Sequence, residues 1–132
     1  MPLVLVDTSA WVEYLRATGS TTHARVRGLL DQDGLIATTD VVAMELLAGA
    51  RDDAHRDGLR RLLRGCEHLP TEGPLDYEDA AEVYRACRRA GATVRRLTDC
   101  LIAAVAIRNG VPLLHRDSDF DVIARHLPLA VA

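Results

Sequence analysis

Four carboxylates stand far apart in the chain but in similar settings: Asp7 after LVLV, Glu45 within TTDVVAMELLAG, Asp99 in RRLTDCLIAAVAI and Asp117 after PLLHR. Each falls where an apolar strand ends or a helix begins, so a sheet of parallel strands gathers them at one edge. Oxygen-only clusters of this kind hold Mg²⁺ or Mn²⁺. One or two such ions orient a water, lower its pKa and stabilise the charge that develops in in-line attack on a phosphodiester. The acids therefore point to metal-dependent phosphoryl chemistry.

Each acid also has a plainer reading. Asp7 directly follows a buried strand and faces any ligand at the sheet edge, yet it can equally cap the next helix, a role open to Thr8 and Ser9 as well. Ser9 can hydrogen-bond to Asp7 or to a water on the metal. Glu45 has apolar neighbours on several sides, where an unpaired carboxylate is costly, so it needs a metal or an arginine such as Arg16 or Arg96. Asp99 lies in a first helical turn, where the macrodipole favours a negative charge with or without a metal. In HRDSDFD, Asp117 is nearest the strand end, Asp119 is an alternative or additional ligand, and Asp121 is a solvated helix residue, with Phe120 and Ile123 turned to the core. The case is collective: four carboxylates brought together without a cation raise one another's pKa values, and a divalent ion resolves the conflict.

Composition removes most competitors. The 132 residues, 48% of them hydrophobic, suit one domain, 1–132, with a single core. No window has the run of apolar residues a membrane span needs, and the N-terminus lacks a signal-peptide pattern, so a soluble, cytoplasmic protein is expected. Cys66, Cys87 and Cys100 are odd in number and set in helical patterns, as core thiols rather than a disulfide or zinc framework. His115 and His126 have no partner at ligand spacing and receive no metal role. All 16 basic residues are arginine. Without lysine there is no Schiff base, P-loop or receiver-type site, whereas arginine suits bidentate phosphate contacts. The net charge of −3 argues against broad coating of nucleic acid and leaves binding to a local patch.

The elements that must position the acids follow from periodicity. Strands are expected at Leu3–Val6, Leu35–Thr38, Val111–His115, with a short edge strand at Glu67–Leu69 and a closing strand at Leu129–Val131. Helices are expected from Ala10 to about Arg16, from Thr21 or Thr22 to Gln32, from Thr39 or Asp40 to Gly49, and from about Asp53 to Arg64. Others follow at Tyr77–Ala90, at Thr98–Asn109, and after a Ser118 cap through Arg125. The helix after Thr98 is apolar nearly all round and should be buried. Strands alternating with helices give an α/β fold, a mostly parallel sheet with helices on both faces.

The blocks LVDTSAW, MELLAGA and LTDCLIAAVAIRNGVPLLHRDSDFDVIA, together with the length, resemble the PIN-domain family and, more narrowly, the VapC toxins of bacterial type II toxin-antitoxin systems. The similarity spans nearly the whole chain, although residues 51–92 are generic. The resemblance implies a three-layer α/β/α sandwich and an Mg²⁺- or Mn²⁺-dependent endoribonuclease whose four acids match Asp7, Glu45, Asp99 and Asp117, with Ser9 or Thr8 as a helper near the metal. It also implies a homodimer, within a larger assembly or alone, held inactive by a cognate VapB antitoxin.

Arg16, Arg95, Arg96, Arg116 and Arg125 fall near the expected site and can hold RNA phosphates, although most arginines here must be solvated surface. Only five aromatic residues (Trp11, Tyr14, Tyr77, Tyr84, Phe120) leave little for stacking bases, so recognition rests on RNA shape and phosphates. Two other readings compete. A phosphatase of the haloacid-dehalogenase kind needs an aspartate where this chain has Ser9. A PIN-like scaffold that only binds a partner has no need of four matched acids.

Overall fold

The computed structural model describes residues 2–132. The first apolar run becomes strand β1 (Val4–Val6), buried on both faces, and the chain then forms helices α1 (Thr8–Leu15) and α2 (Thr21–Leu30). Strand β2 (Ile36–Thr39), wholly buried, leads into α3 (Asp40–Ala48) and α4 (Asp53–Arg64). After β3 (Glu67–Leu69) come α5 (Leu75–Arg89) and α6 (Leu97–Asn109), then β4 (Leu113–Leu114) and α7 (Ser118–His126). No helix among these is long and apolar enough to cross a membrane.

The four strands form one sheet in the order β3-β2-β1-β4, every pair parallel: Leu5 lies opposite Ala37 on one side and Leu113 on the other. Helices cover both faces, giving the three-layer α/β/α sandwich. Because strands buried on both faces cannot alternate polar and apolar residues, β1 reads as a short continuous apolar stretch, and β2 opens as one before its two buried threonines, Thr38 and Thr39. The order has a functional consequence. The chain steps outward from β1 to β2 to β3 and then returns to the far side of β1, so the carboxyl ends of β1 and β4 flank a topological switch point, where ligands bind in open α/β sheets.

Helix α6 runs through the core, buried from Asp99 to Ala106, and its most extensive helix contact is with α5. It stops at Gly110, whose φ of +63° gives the left-handed cap that a side-chain-bearing residue disfavours. Trp11, Phe120, Ile102 and Ile123 are fully buried nearby, and Cys87 and Cys100 are buried free thiols. Burial pushes the Cys100 thiol up to about 12, so it is an inert packing group.

Several boundaries differ from expectation, each for a local reason. Helix α1 begins at Thr8 because its cap is Asp7, whose carboxylate accepts the Ser9 N–H, and not Thr8 or Ser9. Ser20, not a threonine, caps α2, and Asp117, not Ser118, caps α7. Helix α5 starts at Leu75, just after Pro74. Strand β4 has only Leu113 and Leu114, and the expected closing strand is a single parallel bridge from Leu113 to Val131.

The turn before α5 is held by a buried ion pair that the sequence does not announce. Asp76 is 0% exposed and accepts two bonds from Arg108, Nε to Oδ1 at 2.8 Å and Nη2 to Oδ2 at 2.9 Å. Arg108 Nη2 also donates to the Pro70 carbonyl, and the Glu72 N–H donates to Asp76. Arg108 thus pins the loop after β3 to the end of α6, and its bonds hold the Asp76 carboxyl below the usual range. Removing Arg108 leaves a buried carboxylate without its partner, so Arg108→Ala is expected to cost about 3 kcal/mol, read as a lower urea midpoint at neutral pH. An unchanged midpoint would count against this pairing as a stabilising contact.

Candidate active site

Parallel strands put Asp7, one residue past β1, beside Asp117, three residues past β4, at the switch point; the Asp7 N–H donates to the Leu114 carbonyl at 2.9 Å. Asp99 reaches the same place from the first turn of α6 and Asp119 from the first turn of α7. Asp7, Asp99 and Asp119 are buried at 3%, 3% and 4% exposure, and the Asp117 side chain is nearly so. Asp99, Asp117 and Asp119 each offer an oxygen within 4.8 Å of the others.

Glu45 is more open than expected, and its charge reaches Arg96 above the acids. Halfway along α3 it is half-buried rather than enclosed by apolar side chains, and its neighbour Met44 is 57% exposed. It forms no ion pair with Arg16 or Arg96 among the described residues. Its partner is Thr8, whose hydroxyl donates to Oε1 at 2.9 Å. Ser9 turns the other way: its N–H and its hydroxyl both donate to Asp7 Oδ2, at 2.9 and 2.6 Å, and its Oγ accepts the Arg116 N–H at 2.9 Å. The dipeptide after Asp7 therefore ties three segments together: Thr8 to α3, Ser9 to Asp7, and Ser9 to the loop after β4.

Two guanidinium groups lie over the acids. Arg95 Nη2 donates to Asp117 Oδ1 at 3.1 Å and its Nε to Asp119 at 3.2 Å, while its backbone N–H also reaches Asp119 Oδ2. Arg96 Nη2 donates to Asp117 Oδ2 at 3.0 Å and its Nε stands 3.8 Å from Asp99 Oδ2. Both arginines are well exposed, so they close the cluster from the solvent side. Sequence position alone suggested phosphate contacts for them and gave no sign of these pairings. Of the other arginines, Arg116 pairs with Glu13 at 3.3 Å. Arg16 lines a cavity of about 310 Å³ beside Thr8 and Glu45, together with Arg51 and His55, which position in the sequence did not single out. Arg125 is exposed on α7. His115 accepts the Asp117 N–H at Nδ1 and turns Nε2 toward the exposed Asp121 at 3.5 Å, a supporting part and no member of the acid group.

The electrostatics divide the acids. Burial raises the Asp7 carboxyl above its ordinary range, against the bonds from Ser9. Burial also lifts Asp99 to about 7, the nearby Arg96 opposing and the charges of Asp7, Asp117 and Asp119 adding to it. Asp117 goes the other way. Burial works against its ionised form, but the Asp119 N–H and the two arginines outweigh it and hold the carboxyl low. The donor set fits a hard divalent cation: oxygen only, partly buried, and with two atoms, Asp7 Oδ1 and Asp99 Oδ2, that are buried without a hydrogen-bond donor.

Asp99 sets a pH dependence. Between its unfolded value of about 3.9 and pH 7, the folded chain keeps a proton that the unfolded chain has released. That contribution is complete at acid pH and disappears as pH rises through about 7. In chelator, stability is expected to fall across this window. Asp99→Asn should flatten the fall and raise stability at pH 8 by about 2 kcal/mol, measured by urea unfolding at pH 5 and pH 8. A pH profile identical to the parent's would contradict the strained carboxyl.

The PIN domain family model matches residues 4–126. The VapC ribonuclease Mb1587 of Mycobacterium bovis is 52% identical over 131 residues, covering 98% of each chain. Ribonuclease VapC11 of Mycobacterium tuberculosis matches to the same extent. Among solved structures, VapBC2 from Rickettsia felis superposes with a TM-score of 0.77 at 18% identity, over 98% of this chain and 97% of that one. VapC20 of Mycobacterium tuberculosis, a sarcin-ricin loop cleaving toxin, does so with a TM-score of 0.65 at 21% identity, over 96% and 98%.

Proposed function

We propose, from the premise that this chain belongs to the PIN-domain family, that the acids at its sheet edge are the metal-dependent centre at which it hydrolyses RNA. The chain is a VapC-type endoribonuclease, the toxin of a type II toxin-antitoxin system. Its named relatives at 52% identity over nearly the full length support this activity. The observation that carries the placement of the centre is the convergence of Asp99, Asp117 and Asp119 at the switch point, with Asp7 within reach of their charge and two carboxylate oxygens, Asp7 Oδ1 and Asp99 Oδ2, left without donors.

Asp7, Glu45, Asp99 and Asp117 are the proposed ligands of Mg²⁺ or Mn²⁺, with Asp119 as an alternative or additional one. When bound, the ion supplies Lewis-acid chemistry, lowering the pKa of water and offsetting the charge of a phosphodiester under attack. The rest of the work falls to the chain. Ser9 fixes the Asp7 carboxylate in one orientation and leaves Oδ1 free. Thr8 holds Glu45 toward the same mouth. Asp99, whose carboxyl burial lifts to about 7 without a metal, would be held ionised by the bound cation, so cation binding at this residue displaces a proton. Arg16, Arg95, Arg96 and Arg116 stand around the mouth with exposed guanidinium groups and are proposed to meet RNA phosphates. A VapB-type antitoxin is the partner that restrains the activity. The whole chain, 1–132, works as one PIN domain, as a homodimer alone or within a larger toxin-antitoxin assembly, in the cytoplasm.

The test is to incubate the partner-free chain with total cellular RNA in Mg²⁺, Mn²⁺ or EDTA and map new ends by sequencing. Discrete cuts that need a divalent ion and vanish with Asp7→Asn or Asp99→Asn, a loss of about 100-fold or more, are expected. Identical end maps for parent and variant would sink the nuclease reading in favour of a binding role. Ser9→Ala and Thr8→Ala, which loosen the orientation of acids they do not replace, should each lower the cleavage rate by about 10- to 100-fold. Wild-type rates in both would remove the two hydroxyls from the mechanism.

A further inference from the structure

Charge along the chain is unevenly placed. The protein carries a net −3, yet five of its sixteen arginines (Arg85, Arg88, Arg89, Arg95, Arg96) fall within twelve residues, and no acid occurs from Val83 to Thr98. Helix α5 is polarised accordingly. Its acids, Asp76, Glu78, Asp79 and Glu82, occupy the first eight positions and its arginines the last five. Basic residues at a helix C-terminus also suit the macrodipole, but that effect does not account for Arg95 and Arg96 in the loop beyond.

The fold brings this basic segment to the acidic site. Helices α5 and α6 form a tightly packed pair joined by residues 90–96, so the C-terminal end of α5 stands beside the N-terminal end of α6, where Asp99 lies. Arg95 comes six positions after Arg89, at most about 20 Å of extended chain. Arg95 and Arg96 are committed to Asp117 and Asp119. Arg85, Arg88 and Arg89 point outward and by themselves line an open cleft of about 320 Å³. Only Arg85 has an acidic partner among the described residues, the exposed Glu82 at 2.9 Å, a pairing that water and salt weaken. The Arg88 guanidinium lies 5.8 Å from the centre of the Tyr84 ring, which steadies its direction.

We propose that Arg85, Arg88 and Arg89 form a ridge that grips the phosphate backbone of the RNA substrate on the α5 side of the acidic site. The inference rests on the nuclease reading and adds where the strand runs. Three guanidinium groups offer paired donors for phosphate oxygens and no side-chain acceptor with which to read a base edge. The ridge therefore contributes affinity without sequence preference, and it places the strand so that a phosphodiester reaches the acids.

Salt dependence separates this role from a dipole-matching one. Binding of a labelled single-stranded RNA is measured over a range of salt concentrations, in the Asp7→Asn background so that no cleavage intervenes. Adding Arg85→Ala, Arg88→Ala and Arg89→Ala is expected to weaken binding at low salt by about tenfold or more and to make the slope of log K against log salt shallower by about 2. The triple lysine variant should keep most of the slope. Arg60→Ala, Arg61→Ala and Arg64→Ala on α4, with the same change in charge, should leave the slope as it was. An unchanged slope in the ridge variant, or an equal loss in the α4 variant, overturns the ridge. Cleavage of total RNA by the unsubstituted chain is followed in parallel. If it cuts while the ridge variant binds like its parent, only the ridge falls; if it cuts nothing, the nuclease reading falls and takes the ridge with it.

Discussion

Repulsion among carboxylates at one sheet edge is the constraint on which the rest of this structure depends. Asp7, Asp99, Asp117 and Asp119 come within reach of one another's charge, and a fold that brings four acids together must supply compensation or keep some of them protonated. This chain does both. Ser9 stabilises Asp7 with two hydrogen bonds, the first turn of α7 gives Asp117 an N–H, and Arg95 and Arg96 bring two positive charges from one loop. Asp99 is driven up to about 7 first by its burial and then by the charges of Asp7, Asp117 and Asp119, with only the nearby Arg96 to oppose them. The uneven compensation separates the roles of chemically identical side chains.

The same compensation shows why helix capping and metal ligation are not alternatives here. Asp7 and Asp117 each cap the helix that follows, and each does so with one oxygen: Asp7 with Oδ2, Asp117 with Oδ1. A carboxylate has two oxygens and about four lone-pair directions. Capping fixes the rotamer and aims the second oxygen toward the centre. In Asp7 that second oxygen is buried with no donor, an arrangement that costs stability unless a cation draws on it. A residue that first looks like helix punctuation is thereby made rigid enough to serve as a ligand.

What was legible in the sequence, and what was not, follows from the range of the forces involved. Buried strands announce themselves through short apolar runs, and a parallel sheet fixes where their ends must meet. Asp7 and Asp117 could therefore be brought together from the ends of LVLV and PLLHR, and the all-round apolar character of α6 foretold its burial. Boundaries were missed where a neighbouring polar group decides them, as with the Ser20 and Asp117 caps. β4 is shorter than its apolar run because pairing needs a partner, and Val131 offers only a single bridge. The exposure of Glu45 was illegible for a related reason: α3 has apolar residues on most of its circumference, and which side meets solvent depends on packing against β2, α4 and α6. Nothing in the spacing of Arg95, Arg96, Asp117 and Asp119 foretells that loop and helix will face each other across more than twenty residues.

The separation of charge along α5 and α6 extends the electrostatic argument beyond the centre. An acidic pocket repels the polyanion it is proposed to cut, so a chain of net −3 needs a local positive field to bring RNA close. Arginines placed among the acids, such as Arg95 and Arg96, are largely neutralised by them and have little long-range attraction left. Those just outside, on the last turns of α5, keep more of theirs: Arg88 and Arg89 have no acidic partner among the described residues, and Arg85 meets only the exposed Glu82. Placing attraction on a flank and repulsion at the centre lets the backbone be held by charge while the reacting phosphate enters a site whose negative potential only a divalent cation relieves. Affinity and chemistry then depend on different residues, and salt screens the first more strongly than the second.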